Sequence, residues 1–137
     1  MIENQNREIP DPLSEAVKSL FGLSYLFPYQ RLVMTNMLEA AQALGIPIKW
    51  PDADKLIVEN EQSDRQTSGR QIVILPTGAG KSLCFQLPAM LIDGPTLVIY
   101  PILSLMSDQQ RRLHERGFSP VTIRGGQTKE ERDEIWR

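Results

Sequence analysis

A single cysteine, Cys84, and a single histidine, His114, are all that 137 residues offer of either type. One thiol excludes an intrachain disulfide and a cysteine-built metal cluster, and it fits a reducing compartment. A dominant charge is also lacking. With 15 basic and 17 acidic side chains the net charge is -2, which excludes a basic surface spread over the whole molecule. Any nucleic-acid contact must then come from a local surface. No apolar run approaches the ~20 residues of a membrane span, and Met1–Ile9 is too polar for a signal peptide. The expectation is a soluble, cytoplasmic protein with no membrane partner. Internal repeats and low-complexity tracts are absent as well. What remains suits one core, since a chain of this length buries roughly two-thirds of its unfolded surface.

The chain divides into three textures. Residues 1–45 hold a loose leader, Met1–Pro10, and two helical patterns. Asp11-Pro12 is a cap followed by a first-turn proline, and Leu13, Val17 and Leu20 share a face until Gly22. The second pattern begins near Pro28, repeats through Leu32, Leu38 and Ala41, and stops at Gly45. Residues 46–69 read as a polar insertion, with Pro47, Trp50-Pro51 and the stretch Gln62–Ser68. From 70 to 137 the chain alternates in the manner of βαβ units. Strands are expected at Arg70–Leu75, Thr96–Tyr100 and Pro120–Ile123, and helices at Lys81–Ile92 and Ser104–Arg116. Thr128-Lys129-Glu130-Glu131 is a capping box that opens a last helix, so the chain reads as cut shortly after that helix begins. Continuous apolar strands predict a doubly wound parallel sheet covered on both faces, an α/β fold preceded by N-terminal helices.

Between the first strand and its helix stands Pro76-Thr77-Gly78-Ala79-Gly80-Lys81-Ser82. A phosphate chain is dense in negative charge and needs donors without bulk around it. Gly78 and Gly80 lack a Cβ and tolerate positive φ, so the N–H groups of Thr77 to Ser82 can close on phosphate oxygens. The helix opening at Lys81 adds unpaired N–H groups and the positive end of its dipole. Lys81 is placed to reach the β and γ phosphates, and the Ser82 hydroxyl to ligate Mg²⁺. A Gly-rich turn without chemistry is the plain alternative, and the strand, Lys-Ser and helix context weighs against it.

Pro76 to Ala89, together with Pro101-Ile102-Leu103-Ser104-Leu105-Met106-Ser107-Asp108-Gln109, resembles the RecQ family of superfamily 2 DNA helicases. That family reads P-T-G-x-G-K-S-L-C-(Y/F)-Q-L/I-P-A at its phosphate loop and S-P-L-x-S-L-M-x-D-Q at the following motif. The resemblance implies a RecA-like domain at the start of an ATP-driven 3′-to-5′ DNA-unwinding motor of the bacterial cytoplasm. It implies ATP and Mg²⁺ as cofactors, Lys81 as the catalytic lysine, and single-stranded and duplex DNA as partners. Pro101, Ser104, Met106 and Gln109 would line the DNA path. Leu103 and Leu105 are expected in the core, and Arg111, Arg112 and Arg116 divide evenly between a solvated face and a DNA role.

The family's adenine motif, F-G-Y-x-x-F-R-x-x-Q, is matched by Phe21–Gln30. Gln30 is retained and suits the adenine edge, whereas Leu23 and Phe27 replace the aromatic and the arginine. Tyr25 or Phe27 is then expected to stack on the base. Hydrolysis in this family needs D-E-x-H after a strand, and Asp133-Glu134 does not supply it, because charged residues precede it and no histidine follows. This chain is therefore expected to bind nucleotide and not to unwind. Two other readings share the loop. A P-loop kinase or GTPase would leave Pro101–Gln109 without a purpose, and a non-catalytic nucleotide-binding or interaction module would use residues 46–69 as its partner surface.

Overall fold

Asp11 starts the first helix with its own side chain. Its carboxylate accepts the Ser14 N–H at 3.0 Å, and Pro12 takes the first position, where a missing N–H leaves no bond unmade. This α1, Pro12–Phe21, ends at Gly22, which adopts a left-handed φ of 67° and returns its N–H to Lys18. The second helix, α2, runs Pro28–Ala43 and gives way to Leu44 and Gly45. The third, α3, runs Lys81–Leu91. The computed structural model describes residues 11–51 and 70–136, and the chain divides into two units, Met1–Thr96 and Leu97–Arg137. The leader and most of the 46–69 insertion lie outside the described residues.

In the first unit the three helices bury one another. Leu13, Ala16, Val17 and Phe21 come from α1, Met34, Leu38 and Ala41 from α2, and Leu83, Cys84, Leu87 and Leu91 from α3. Cys84 sits in this core, and burial pushes its thiol pKa up, so it packs as a small apolar residue. Arg31 fastens α2 to the start of α1. One guanidinium nitrogen meets the Asp11 carboxylate at 2.6 Å and the other donates to the Ser14 hydroxyl at 2.8 Å.

Burial alone would raise the Asp11 pKa, but the hydrogen bonds from Ser14 and Arg31 outweigh it and the group ends below the ordinary carboxylate value. A carboxylate whose folded pKa is depressed stabilises the fold above its unfolded pKa and loses that contribution as pH falls through the folded one. Unfolding free energy should therefore hold level above about pH 5 and decline below about pH 4. Asp11→Asn keeps a cap and discards the charge, so its denaturant midpoint should fall less on the acid side than the parent's. An identical acid limb in both would remove Asp11 from the account.

The first residues after α2 are tied down, which the polar insertion did not suggest. The Ile46 N–H returns to Ala41 at 2.9 Å, and Ile48 forms an antiparallel bridge with Ile92. Lys49 donates its N–H to Leu91 at 2.7 Å, Asp93 donates to Pro47 at 3.0 Å, and the Lys49 ammonium meets the Asp93 carboxylate at 2.5 Å. Residues 46–49 thus brace the end of α3.

The second unit holds α4, Leu103–Glu115, and α5, Lys129–Ile135. The α5 capping box forms as expected: the Thr128 hydroxyl accepts the Glu131 N–H at 3.2 Å and the Glu131 carboxylate accepts the Thr128 N–H at 2.8 Å. Gly117 closes α4 with φ 84°.

The doubly wound parallel sheet is not formed among the described residues. Arg70–Leu75, Thr96–Tyr100 and Pro120–Ile123 carry no ladder, and the Ile48–Ile92 bridge is the pairing present there. Parallel pairing is non-local and needs both faces of the sheet covered by helices. Within the first unit α1, α2 and α3 cover one another instead, leaving Ile72 92% and Ile74 88% exposed; Ile99, in the second unit, is 84% exposed. The helix boundaries follow the local signals closely; the strands, which depend on distant partners, do not.

Candidate nucleotide-binding site

The loop between residue 75 and α3 is built by two left-handed glycines. Ala79 returns its N–H to the Pro76 carbonyl at 3.2 Å, and Gly78 takes the third position of that turn with φ 82°. A type II turn requires positive φ there, so glycine is the residue that fits without strain. Gly80 follows as the residue capping α3, with φ 71° and ψ 32°. Its carbonyl accepts the Leu83 N–H at 3.2 Å, which starts the helix. The N–H groups of the first turn, including those of Lys81 and Ser82, precede any intrahelical acceptor and face outward along the axis.

Lys81 is exposed, and its ammonium donates to the carbonyls of Leu75 at 3.0 Å and Pro76 at 2.9 Å. The charge is thereby held over the loop rather than extended into water. Ser82 is half-buried beside it, and Thr77 is exposed at the loop's apex. Among the described residues no three acidic, histidine or cysteine side chains gather for a metal. That is compatible with Mg²⁺, which is commonly held by one or two protein oxygens plus phosphate oxygens and water.

The N-terminus of α2 underlies the loop. Gln30 is 4% exposed; its amide nitrogen donates to Ala79 at 3.3 Å and to Gly80 at 3.4 Å, and its carbonyl accepts the Phe27 N–H at 3.0 Å. A Cβ on Gly80 would run into that amide, a second reason for glycine there. Tyr29 adds a hydroxyl bond to the same Ala79 carbonyl at 3.1 Å. Beside it, Phe27 stacks on Tyr29 with centroids 5.4 Å apart and planes 5° from parallel, and Tyr25 meets Phe27 edge-on at 5.4 Å. Tyr25 is 63% and Phe27 49% exposed. The structure thus brings Gln30 to the loop residues 79 and 80 and turns its amide inward to their carbonyls, while Phe27 and Tyr25 join the loop only through the ring of Tyr29. Tyr29 was missed by sequence reasoning. Its only signal was its place between Pro28 and Gln30 in the first turn of α2.

In the second unit Pro101 and Ser104 are exposed and Met106 and Gln109 half-buried at the start of α4. Leu103 and Leu105, expected in the core, are 62% and 43% exposed, and no described residue of this unit is buried. Arg111 is compensated within its own helix by Asp108 at 2.6 Å and Glu115 at 2.8 Å, and Arg112 by Asp108 at 2.9 Å. Hydrogen bonding from Arg111 holds the Asp108 carboxyl below the ordinary range. His114 lies exposed on the same helix, and Asp133 and Glu134 fall inside α5.

The DEAD/DEAH box helicase family matches residues 27–137. The chain belongs to the DEAD/DEAH box helicase family. Membership implies a RecA-like fold. Its relatives within the curated proteins are RecQ-type helicases, as the motifs at Pro76–Ala89 and Pro101–Gln109 led one to expect. The chain is 47% identical over 58 residues to ATP-dependent DNA helicase RecQ of Bacillus subtilis (strain 168), covering 42% of this chain and 10% of that protein. It is 49% identical over 61 residues to the probable ATP-dependent DNA helicase RecS of the same organism, covering 44% and 12%. With ATP-dependent DNA helicase Q-like 5 of Arabidopsis thaliana it shares 53% identity over 55 residues, covering 40% and 5%. The matched stretch therefore spans only 5–12% of the length of these relatives. No helix among the described residues is long and apolar enough to cross a membrane.

Proposed function

We propose that this chain is the nucleotide-binding beginning of a RecQ-type, ATP-dependent 3′-to-5′ DNA helicase. The observation that carries the reading is the loop itself: left-handed Gly78 and Gly80, Lys81 held over the loop carbonyls, and α2 bracing Ala79 and Gly80 from beneath. In this reading the first-turn N–H groups of α3 receive phosphate oxygens, Lys81 moves its charge onto the β and γ phosphates, and Ser82 provides an oxygen to Mg²⁺. The metal, when bound, neutralises charge on the transferring phosphoryl group. Phe27 or Tyr25 receives the base, Gln30 braces the loop beside it, and Pro101, Ser104, Met106 and Gln109 follow the backbone of single-stranded or duplex DNA. Contacts to phosphates suit a motor that must pass every sequence. A cytoplasmic protein and a doubly wound sheet completed around the loop belong to the same reading.

Phosphoryl transfer depends on placed charge, and residues 1–137 contain no D-E-x-H. The purified chain should bind Mg²⁺-ATP and hydrolyse it at background, with or without single-stranded DNA. Lys81-dependent turnover raised by DNA would contradict the absence of a catalytic acid. Absence of saturable ATP binding would contradict the reading as a whole.

A further inference from the structure

We infer that Tyr29 is a positioning residue that fixes the orientation of the Ala79–Gly80 peptide and so sets how tightly the loop holds a polyphosphate. The inference rests on the nucleotide reading above. A trans peptide is planar, with its C=O and N–H pointing in opposite directions. The Ala79 carbonyl accepts from the Tyr29 hydroxyl at 3.1 Å and from the Gln30 amide at 3.3 Å. Both lone pairs of that oxygen are thus engaged from the α2 side. The N–H of the same peptide belongs to Gly80, and anchoring the carbonyl toward α2 turns this N–H away from α2, into the loop. Gly80, with φ 71°, follows the peptide, so on that side backbone sterics alone do little to prevent it from flipping. A flipped peptide would present a carbonyl oxygen to an anion where the N–H now stands, exchanging attraction for repulsion.

Gln30 cannot hold the peptide as firmly by itself. Its amide nitrogen is shared between Ala79 at 3.3 Å and Gly80 at 3.4 Å, both longer than the Tyr29 bond. The Tyr29 ring also backs Phe27, nearly parallel at 5.4 Å, so one side chain touches the aromatic surface and the phosphate loop together. Hydroxyl and ring have separable roles. The hydroxyl acts on phosphate affinity, and the ring acts on the base-facing aromatics.

Binding of inorganic tripolyphosphate, adenosine and ATP to the full chain tests this. Tyr29→Phe keeps the ring and should weaken tripolyphosphate and ATP about three- to tenfold, the loss expected for one hydrogen bond, with adenosine binding and the unfolding midpoint unchanged. Tyr29→Leu should weaken adenosine as well. In a backbone-amide spectrum, tripolyphosphate should shift the Gly80 resonance less in Tyr29→Phe than in the parent. Lys81→Ala separates the two failures. If Lys81→Ala loses tripolyphosphate and Tyr29→Phe does not, the loop reading stands and the role of Tyr29 is overturned. If neither variant changes tripolyphosphate affinity, the loop reading falls and takes this inference with it. A Tyr29→Phe variant that loses stability and both ligands in equal measure has a structural tyrosine, and that too overturns the proposal.

Discussion

Replacing Leu87 with alanine should cost about 2–5 kcal/mol of unfolding free energy, the range for truncating a buried leucine. Leu87 has no exposed surface and stands midway along α3, where that helix packs on α2. The loss combines the transfer of the removed methyl groups with the cavity they leave, and Leu91, one turn further along α3, is itself fully buried, so a close-packed core can fill the space only in part. The first unit has a small core made by three helices, and domains of this size are only marginally stable. A truncation at its centre is therefore expected to unfold a sizeable fraction of the chain at 37 °C. The loop that opens α3 would be lost with the helix. Denaturant unfolding followed by circular dichroism measures this directly. A cost under about 1 kcal/mol, less than the low end for such a truncation, would mean that the core is not centred on α3.

The helices were legible because their signals are local. Asp11 with Pro12, Thr128 with Glu131, and Gly22, Gly45 and Gly117 each act within one turn of chain, and the structure ends or begins a helix at each. The loop was legible for the same reason, since Gly78 and Gly80 carry its unusual backbone. What escaped was non-local. Ile72, Ile74 and Ile99 read as buried strand residues, yet a strand exists only through partners that neither hydrophobicity nor β-branching can supply, and among the described residues those partners are not engaged. Tyr29 escaped because its meaning lies in a carbonyl 50 residues away. Gln30 was found, though its amide faces the loop rather than open space, and only the fold could show that direction. Likewise Ile48 and Lys49 looked like the start of an excursion, until their backbone met Leu91 and Asp93.

Lys81 tests the central claim most directly. Its side chain is exposed and its ammonium donates to the carbonyls of Leu75 and Pro76, so removing it withdraws a charge without opening a cavity. A charge-assisted bond to a phosphate contributes on the order of 1.5–3 kcal/mol, equivalent to roughly a ten- to hundredfold change in affinity. Neutralising Lys81 should act on ATP through the phosphates and leave adenosine untouched, since the aromatic residues Tyr25 and Phe27 lie on another element. The decisive measurement is calorimetric titration of Mg²⁺-ATP into the parent chain and into Lys81→Ala, with thermal unfolding of both as the control. The account predicts a single saturable site in the parent, weakened ten- to hundredfold in the variant, at matching unfolding midpoints. Equal affinity in two equally folded proteins would contradict it.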